Sequence, residues 1–495
     1  MLQNRKMLFS DDCDFKRLET MGHMVRNLYY DILSLGPSGR FLVRLLQNGT
    51  SKVKNGSSLL KVGDIVLLSR GTEKLESCLS ELSIQGEVYK QDKNSLTLMV
   101  GGDWIEPLTL FEKDSLYFLI KNDTDVTYKK MFSAINKLEE IKKSEKHGSL
   151  ILDILLNKID KDDLTSQMDY SYHKQNSFKF LNNNMNDRQK DAICFALNNP
   201  VSIIHGPFAC GKTTTIVEIL EQINVSPEHK GKVMICGPSN VSVDTILEKV
   251  SKNKRIHSKK IARIGNINRI HGNAEYCLDS RIQNSPNIKE MSFKINSVLQ
   301  SHYKANARYN KNGKVNLPAS RLKKFEKLLQ RLGKKEKKDK EAIIKKCKFL
   351  FATLHSSSNG QVLAMYKKKK NEKHNDFRTV ETLIIDEVSQ SLEIQCWIPI
   401  LDHLKYLKRI IFAGDNNQLP PTVKTLPHES GAGKGVFNIL NTTIFDRLEK
   451  VYGKTLITLL NVQYRMNERI MQFPSDEIYK GKVISGKGDK NILLS

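Results

Sequence analysis

A glycine-rich loop between a strand-type run and a helix-compatible stretch is the strongest constraint in this chain. Residues 206–213 read G-P-F-A-C-G-K-T, and they follow the β-type run at 201–204. The N–H groups of such a loop and the positive end of the next helix form an anion site, to which Lys212 adds a mobile charge. The Thr213 hydroxyl is suited to bind Mg²⁺. The predicted nucleotide-binding residues are Gly206, Pro207, Phe208, Ala209, Cys210, Gly211, Lys212, Thr213 and Thr214.

Two adjacent carboxylates follow another strand-type run, far along the chain. Residues 381–385 read E-T-L-I-I and lead directly into Asp386 and Glu387. In this arrangement the first carboxylate holds Mg²⁺ through water, and the second orients or deprotonates the attacking water. A single acid at a strand end is often only solvated. The combination with Lys212, after a second buried-type strand, indicates hydrolysis of a nucleoside triphosphate.

A guanine-specific site is the first alternative. Residues 157–160 read N-K-I-D, which matches the N-K-x-D string that reads guanine. This string precedes the phosphate loop, whereas the strand order of a GTPase requires it well after the loop. We therefore interpret residues 157–160 as a helical surface segment.

Four further motifs, each close to an apolar run, point to one family. They are G-P-S-N at 237–240, F-A-T-L at 351–354, G-D-N-N-Q-L-P-P at 414–421 and Q-Y-R-M at 463–466. With D-E-V-S-Q at 386–390, they resemble the superfamily 1 helicases, on the branch of the up-frameshift RNA helicase and the immunoglobulin mu-binding helicase. The resemblance runs from about residue 17 to the C-terminus. The lack of a cysteine-rich N-terminal region favours the immunoglobulin mu-binding type.

The resemblance implies an α/β fold, with the RecA-like parallel sheet of a P-loop NTPase. Alternating apolar runs before the phosphate loop, separated by Gly-, Asn- and Ser-rich turns, predict a small antiparallel β-barrel. A separate β-domain with no role at the active site is the alternative. The predicted segments are an N-terminal stalk region (1–38, helical near 15–35), the barrel (39–121), stalk helices (122–175), the first RecA-like lobe (176–267 and 347–430), a basic helical insertion (268–346) and the start of a truncated second RecA-like lobe (431–495).

The resemblance also implies roles for single residues around the nucleotide. Gln189 matches a residue that reads the adenine edge, and Tyr464 matches an aromatic residue that stacks on the base. Gln418 matches a γ-phosphate sensor, and Arg465 matches a cation that reaches the γ-phosphate from the second lobe. ATP and Mg²⁺ are therefore the expected ligands. The implied catalytic set is Lys212, Asp386, Glu387, Gln418 and Arg465, with Thr213 and Asp386 at the metal.

The charge of the chain indicates a nucleic-acid partner. Lys and Arg outnumber Asp and Glu by 79 to 54, a net charge of +25, which favours binding of a polyanion. Between residues 301 and 348 there are 17 basic and 4 acidic residues. For this run a solvated helix or a disordered tract is the alternative. A second basic run, at 367–370, is equally open to interpretation as a loop or a weak nuclear-import signal.

The resemblance assigns candidate contacts to a bound single strand. Ser239, Asn240 and Thr353 match positions that touch its phosphates, although Ser239 and Asn240 are also suited to cap a helix that begins near residue 241. In the basic insertion, which the family places over the nucleic-acid channel, the candidate contacts are Arg321, Lys323 and Lys324.

Two departures from the family pattern affect the expected activity. Ala209 stands where a glycine is common, and we expect its Cβ to be tolerated only if φ is negative. The sequence ends at Ser495, and the family motifs that carry the arginine finger have no counterpart in it. We therefore expect binding of ATP and nucleic acid, slow hydrolysis and no strand separation by this chain. An ATP-gated clamp is the alternative to a helicase that moves 5′ to 3′.

The remaining composition limits the cellular context. Eight cysteines are scattered without a C-x-x-C pair, which argues against a structural zinc site and a disulfide framework. No apolar run reaches membrane-spanning length, and the N-terminus lacks a signal-peptide core. We expect a monomer in the cytoplasm or nucleus that binds single-stranded DNA or RNA and no membrane.

Overall fold

The computed structural model describes most of the chain, in two compact units. The first unit is drawn from Met1–Asp125, Asn266–Arg269 and Asp279–Lys340, and the second from Val126–Gly265, Ile270–Leu278 and Glu341–Ser495. The described residues are 15–47, 60–70, 84–92, 94–101, 115–122, 126–143, 149–170, 179–270, 272–309, 319–364, 379–423 and 430–486.

Helices occur in both units. In the described helices no segment is both long and apolar enough to cross a membrane. In chain order they are α1 (Phe15–Thr20), α2 (Val126–Lys143), α3 (Leu150–Leu155), α4 (Lys161–Gln167), α5 (Asp187–Asn198), α6 (Lys212–Val225), α7 (Asn240–Asn253), α8 (Leu278–Gln283), α9 (Pro286–Tyr309), α10 (Ala319–Lys346), α11 (Gly360–Leu363), α12 (Glu393–His403), α13 (Ser430–Asn441), α14 (Ile444–Tyr452) and α15 (Glu468–Tyr479).

The first unit contains a closed antiparallel barrel. Its strands are β1 (Met24–Leu35), β2 (Phe41–Gln47), β3 (Ile65–Arg70), β4 (Ile84–Gln91), β5 (Ser95–Val100) and β6 (Leu116–Lys121). They pair in the order β1-β2-β5-β4-β3-β6, and closure leaves no open sheet edge. Phe41, Val43, Leu45, Val66 and Leu98 are fully buried in its interior. The predicted N-terminal barrel is confirmed.

The helix predicted near residues 15–35 was wrong beyond Thr20. The chain forms α1 and then enters β1, which pairs with β2 and β6. Leu28, Tyr30, Leu33 and Leu35 are buried, with less buried residues between them. A side-chain period near two fits a barrel strand better than a helix. The barrel therefore begins at Met24 rather than at residue 39.

The basic run after residue 320 forms an ordered amphipathic helix. Phe325, Leu332 and Glu336 are buried on one face of α10, and the ring of Phe325 lies 6.2 Å from that of Phe41. Lysines such as Lys334 and Lys338 are exposed. The run is thus a helix that packs on the barrel through one face. The second basic run, at 367–370, lies outside the described residues.

The second unit is built on a seven-stranded parallel sheet. Its strands are β7 (Val201–His205), β8 (Lys232–Gly237), β9 (Ile261–Ile264), β10 (Phe349–Thr353), β11 (Val380–Ile385), β12 (Arg409–Gly414) and β13 (Ile457–Leu459). They lie in the order β13-β7-β12-β11-β8-β10-β9, and every pairing is parallel. All carboxyl ends therefore meet at one edge, where ligands bind in open α/β sheets. The predicted RecA-like parallel sheet is confirmed.

The boundary predicted at residue 431 divides elements of a single core. β13 pairs with β7, with Ile457 opposite Ile203, and α14 buries Phe445 and Leu448 in the cluster that contains Val201. These elements therefore complete the first lobe instead of starting a second one. A separate two-stranded sheet follows, formed by β14 (Val462–Gln463) and β15 (Ile484–Ser485).

The N-K-I-D string does not lie within a helix. Residues 157–160 join α3 to α4, and Asn157 has a left-handed backbone with φ of 54°. The Asn157 side chain accepts a hydrogen bond from Arg447 Nη1 at 3.0 Å. The helical prediction for this segment was wrong, and the string has a structural contact with α14.

The assignment of α14 to the core of the second unit predicts a stability difference along one helix. Leu448 is fully buried, whereas Val451 on the same helix is 36% exposed. We expect Leu448→Ala to lower the free energy of unfolding by about 2–5 kcal/mol, because it leaves a cavity. Val451→Ala should change it by about 0.5 kcal/mol or less. Denaturant unfolding of both variants is the measurement, and equal losses would contradict the placement of α14.

Candidate nucleotide-binding site

A cavity of about 670 Å³ opens at the carboxyl edge of the parallel sheet. The chain reaches it from the ends of β7, β11 and β12 and from the segment that follows β14. Apart from the nine loop residues predicted to bind nucleotide, all of which line it, its walls are formed by Asn182, Asn184, Gln189, Lys249, Glu387, Gln418, Tyr464 and Arg465.

The phosphate loop connects β7 directly to α6. Gly211 precedes the helix with φ of 82°, and an added Cβ would lie 2.3 Å from Gln189 Nε2. A glycine is therefore required both by the backbone conformation and by the contact. Gln189 Nε2 also donates to the Cys210 carbonyl at 3.1 Å, which fixes the loop from the side of α5. The first N–H groups of α6 face a position suited to an anion.

Two residues of the loop, Ala209 and Cys210, have an unusual backbone conformation and an unusual side-chain pKa, respectively. Ala209 has φ of 56°, so the expectation that it keeps a negative φ was wrong. The Tyr464 N–H donates to the Ala209 carbonyl at 3.2 Å, which helps to hold this conformation. A left-handed alanine costs about 1–2 kcal/mol. The neighbouring Cys210 is buried, and burial raises the pKa of its thiol to about 12.

Lys212 lies between the two carboxylates that follow β11. Its Nζ donates to Glu387 Oε1 at 2.6 Å and lies 3.7 Å from Asp386 Oδ1. Burial alone would lower the pKa of Lys212, but Asp386 and Glu387 raise it above its ordinary value. Burial raises the pKa of Asp386 to about 6, against the effect of Lys212. The fold thus brings together the loop lysine and the two acids, as predicted from the sequence.

The carboxylate pair has unequal surroundings. Glu387 has a left-handed backbone with φ of 52°, and its Oε2 accepts from Gln390 Nε2 at 3.1 Å. Asp386 is buried, and its Oδ1 accepts no hydrogen bond from the described residues. Such an orphan oxygen beside a phosphate loop fits an outer ligand of Mg²⁺, and Thr213 lines the cavity beside this loop. In the described part of the chain, no three His, Cys, Asp or Glu side chains cluster to hold a metal.

A buried network around Asp415 was missed by sequence reasoning. Asp415 Oδ2 accepts from Gln418 Nε2 at 2.5 Å and from the Tyr479 hydroxyl at 2.6 Å, and Oδ1 lies 3.0 Å from His205 Nε2. Burial would raise the pKa of Asp415, but the hydrogen bonds from His205, Tyr479 and Gln418 lower it. The signal available in the sequence was the acid three residues before the predicted sensor Gln418.

The two residues predicted to contact the base, Gln189 and Tyr464, both line the cavity. Tyr464 is 44% exposed, and its hydroxyl accepts from Asn186 Nδ2 at 2.8 Å. Gln189 is buried, and its Oε1 accepts from the Asn186 N–H at 3.2 Å within a helix capping box. Its amide is thus bonded to the loop and the helix cap, and its reading of adenine stays a prediction. Arg465 is exposed at the cavity wall.

Three predicted strand contacts lie at the ends of the neighbouring strands β8 and β10. Ser239 caps α7, since its Oγ accepts from the Ser242 N–H at 3.1 Å. Asn240 Oδ1 accepts from the buried Arg263 at 2.8 Å. Thr353 Oγ1 donates to Ser356 Oγ at 2.9 Å. The capping alternative is therefore correct for Ser239, and contact of all three with phosphates stays a prediction.

The predicted contacts in the basic insertion lie on α10, in the first unit. Lys323 and Lys324 are exposed on this helix. Arg321 lies in the same helix, and its side chain is outside the described part of the chain.

The strained loop alanine predicts an unusual effect of glycine. Replacing Ala209 by Gly removes the energetic penalty of a left-handed alanine, but it also gives the unfolded chain more conformational entropy. Because the first effect is the larger, we expect the variant to be more stable by about 0.5–1 kcal/mol. The control is Ala192→Gly in the middle of α5, where the same change should destabilise by at least about 0.5–1 kcal/mol. Thermal unfolding measures both. A loss of stability at both positions would contradict the strain at Ala209.

Comparison with known proteins identifies the family. Two family models, both described as "AAA domain", match residues 184–426 and 440–494. The DNA polymerase alpha-associated DNA helicase A of Saccharomyces cerevisiae is 34% identical over 97% of this chain and 68% of its own length. The DNA-binding protein SMUBP-2 of Mesocricetus auratus is 30% identical over 75% of this chain.

The chain spans only 34% of the length of that SMUBP-2 protein. Among solved structures, the UvsW helicase from bacteriophage T4 aligns with 52% of this chain and 60% of that chain, at 10% identity and a TM-score of 0.26. The fold therefore rests on the strand order, and the family rests on the sequence relatives and matched domains. The chain belongs to the superfamily 1 helicases of the immunoglobulin mu-binding and up-frameshift type, a family of ATP-hydrolysing enzymes.

Proposed function

We propose that this chain couples hydrolysis of Mg-ATP to movement along single-stranded DNA or RNA, in the 5′ to 3′ direction. The observation that carries the proposal is the convergence of Lys212, Asp386 and Glu387 from two strand ends. A phosphate-binding lysine beside two acids provides both charge for the outer phosphates and a group to orient water. The direction of movement is proposed on the family resemblance alone.

Nucleotide binding in this mechanism begins with a change of partner at Lys212. In the structure its ammonium group lies 2.6 Å from Glu387 Oε1. Phosphate oxygens would replace this carboxylate, while the N–H groups at the start of α6 bind the remaining charge. Glu387 is then free to orient the attacking water, and Gln390 continues to hold its second oxygen. The same lysine thereby links phosphate binding to release of the general base.

The metal site in this proposal uses few protein groups. Thr213 and Asp386 would hold Mg²⁺ together with the phosphates, in keeping with the preference of this ion for one or two carboxylates and retained water. When bound, Mg²⁺ would neutralise the negative charge that develops on the phosphates. The protein's own contribution is the orientation of Asp386, which is buried at the end of β11.

The γ-phosphate would be sensed by Gln418 through the Asp415 network. Asp415 holds the Gln418 amide and also accepts from Tyr479 at the end of α15. A shift of the Gln418 amide toward phosphate would therefore alter its hydrogen bond to Asp415, and Asp415 also holds α15 through Tyr479. We propose that this is the route by which the nucleotide state reaches the residues after β14.

The nucleic-acid partner is proposed from charge and from the relatives. The net charge of +25 favours phosphate contacts, and the relatives are named as a DNA helicase and a DNA-binding protein. Backbone contacts and stacking do not select strongly between DNA and RNA. A monomer in the nucleus or cytoplasm is part of the same proposal.

The roles of the lysine and the acid predict opposite effects on binding. Lys212→Ala should weaken ATP binding at least about tenfold, because the phosphates lose a buried charge. Glu387→Gln should leave ATP affinity unchanged or higher, because it removes the carboxylate that competes with phosphate for Lys212. The same change should slow hydrolysis about 10²–10⁴-fold, because the group that orients the attacking water is lost. Equilibrium binding of a fluorescent ATP analogue and phosphate release measure the two effects.

The control for this pair is Lys252→Ala. Lys252 is an exposed lysine on α7 that pairs with Glu248. The Lys252→Ala change should alter neither the ATP affinity nor the rate of hydrolysis. Equal loss of ATP affinity in the Lys212 and Glu387 variants would remove the assignment of these roles.

The exposed face of α10 predicts a change in salt dependence. Neutralising Lys323, Lys324, Lys334 and Lys338 to Gln should weaken binding to unrelated single strands alike. It should also lower the slope of log K against log salt by roughly 0.7 for each lost phosphate contact. Fluorescence anisotropy with a labelled oligonucleotide at several salt concentrations is the measurement.

The matched control neutralises the same number of exposed lysines outside the first unit. Lys158, Lys252, Lys405 and Lys450 are all exposed. Because both variants remove four charges, a general effect of net charge would lower the slope equally. An equal slope in the two variants would return α10 to the solvated-helix alternative.

A further inference from the structure

A second cavity, of about 660 Å³, lies at the opposite edge of the parallel sheet from the nucleotide site. It is lined where β8, β9 and β10 begin and where α6 and α10 end. Among its lining residues, all within the described part of the chain, there is no Asp or Glu. The lining includes six lysines, at positions 230, 232, 260, 345, 346 and 348.

Part of this charge has a structural explanation. Lys232 is buried and donates to the carbonyl groups of Lys345 and Cys347 near the end of α10. Lys348 donates to the Ile223 carbonyl at 2.6 Å, in the last turn of α6. Cations at helix carboxyl ends satisfy carbonyl groups and oppose the helix dipole. Two of the six lysines are therefore accounted for by the fold.

Three further lysines, Lys230, Lys260 and Lys346, add positive charge beyond the two that satisfy helix carbonyl groups. Lys230, Lys260 and Lys346 are exposed at the cavity, and Lys260 Nζ donates to a neutral amide, Asn224 Oδ1, at 2.9 Å. The nearby carboxylate of Glu381 is engaged by Lys408 at 3.1 Å. The cavity therefore concentrates more positive charge than its own walls neutralise.

The ionisation of Lys348 and His229 agrees with this surplus, whereas the lowered pKa of Lys232 is caused by burial. Burial lowers the pKa of Lys232 to about 8. Burial and then the charge of Lys260 lower the pKa of Lys348. Burial, followed by Arg409, Lys348 and Lys408, lowers the pKa of His229 to about 4. Since like charges and burial both disfavour a cation, an anion in the cavity would relieve the repulsion.

We propose that this cavity is a second phosphate site, which takes an anion bearing two or more phosphate groups. Lysine ammonium groups are compact point charges with three donors each, and they suit phosphate without the planar geometry that arginine requires. The volume lies within the range of small-ligand sites. The ligand is either a stretch of nucleic-acid backbone or a free polyphosphate. The site is remote from the phosphate loop and does not depend on the proposed hydrolysis.

The test uses the full chain with Lys212→Ala, so that phosphate binding at the nucleotide loop is weakened. Inorganic tripolyphosphate and a labelled single-stranded oligonucleotide are the two probes. In this background Lys230, Lys260 and Lys346 are changed together to Gln. All three are exposed, so the variant should fold, and circular dichroism checks this. The control changes Lys158, Lys405 and Lys450 to Gln, which removes the same charge from exposed positions outside the cavity.

We expect the cavity variant to raise the Kd for tripolyphosphate at least tenfold and the control to raise it less than twofold. Changing the three cavity lysines to Arg should keep the Kd within about threefold, because the positive charge is retained. If the cavity variant also weakens oligonucleotide binding and lowers its salt slope relative to the control, the site takes nucleic-acid backbone. If oligonucleotide binding equals that of the control, the site takes a free polyphosphate.

Two results would overturn the proposal. One is the absence of saturable tripolyphosphate binding to the Lys212→Ala protein. The other is an equal effect of the cavity and control variants on both probes, which would assign the binding to net surface charge. Neither result depends on ATP turnover, so a failure here is distinguishable from a failure of the proposed function.

Discussion

The nucleotide site depends on one electrostatic requirement, that a buried lysine must have an anionic partner. Asp386 and Glu387 supply that partner to Lys212. Neither acid adjoins the lysine in sequence, and only the parallel sheet brings the ends of β7 and β11 to one edge. The carboxylates that stabilise the lysine are also the groups proposed to act on Mg²⁺ and water. Phosphate binding and catalysis thus share one set of charges.

Local backbone strain accompanies this arrangement. Ala209 in the phosphate loop and Glu387 after β11 are both left-handed, although neither is glycine. Such residues persist where surrounding contacts determine them, as the Tyr464 N–H and the Gln390 amide do here. The strain lies on the two segments that are proposed to hold phosphate and water.

The two edges of the sheet have opposite chemical character. At the carboxyl edge, two acids pair with Lys212 beside the phosphate loop, and Asp415 connects the predicted sensor to α15. At the amino edge, lysines from strand starts and helix ends surround a cavity without acids among its described walls. At the first edge, we propose that phosphate replaces the Glu387 carboxylate as the partner of Lys212. The second carries unneutralised positive charge, which is why it is proposed as a phosphate site.

The sequence by itself predicted the residues of the proposed nucleotide site, because the loop, the acid pair and Gln418 each lie in a short motif that can be recognised locally. Apolar runs and turns also predicted the barrel, and the resemblance of the motifs to a known family implied the parallel sheet. The sequence could not determine that residues 24–35 form a strand, that β13 completes the first sheet, or that Ala209 is left-handed. These features depend on pairing and contacts between distant segments. The Asp415 network and the lysine cavity were decided only by the tertiary structure, since their members come from separate elements that no local pattern connects.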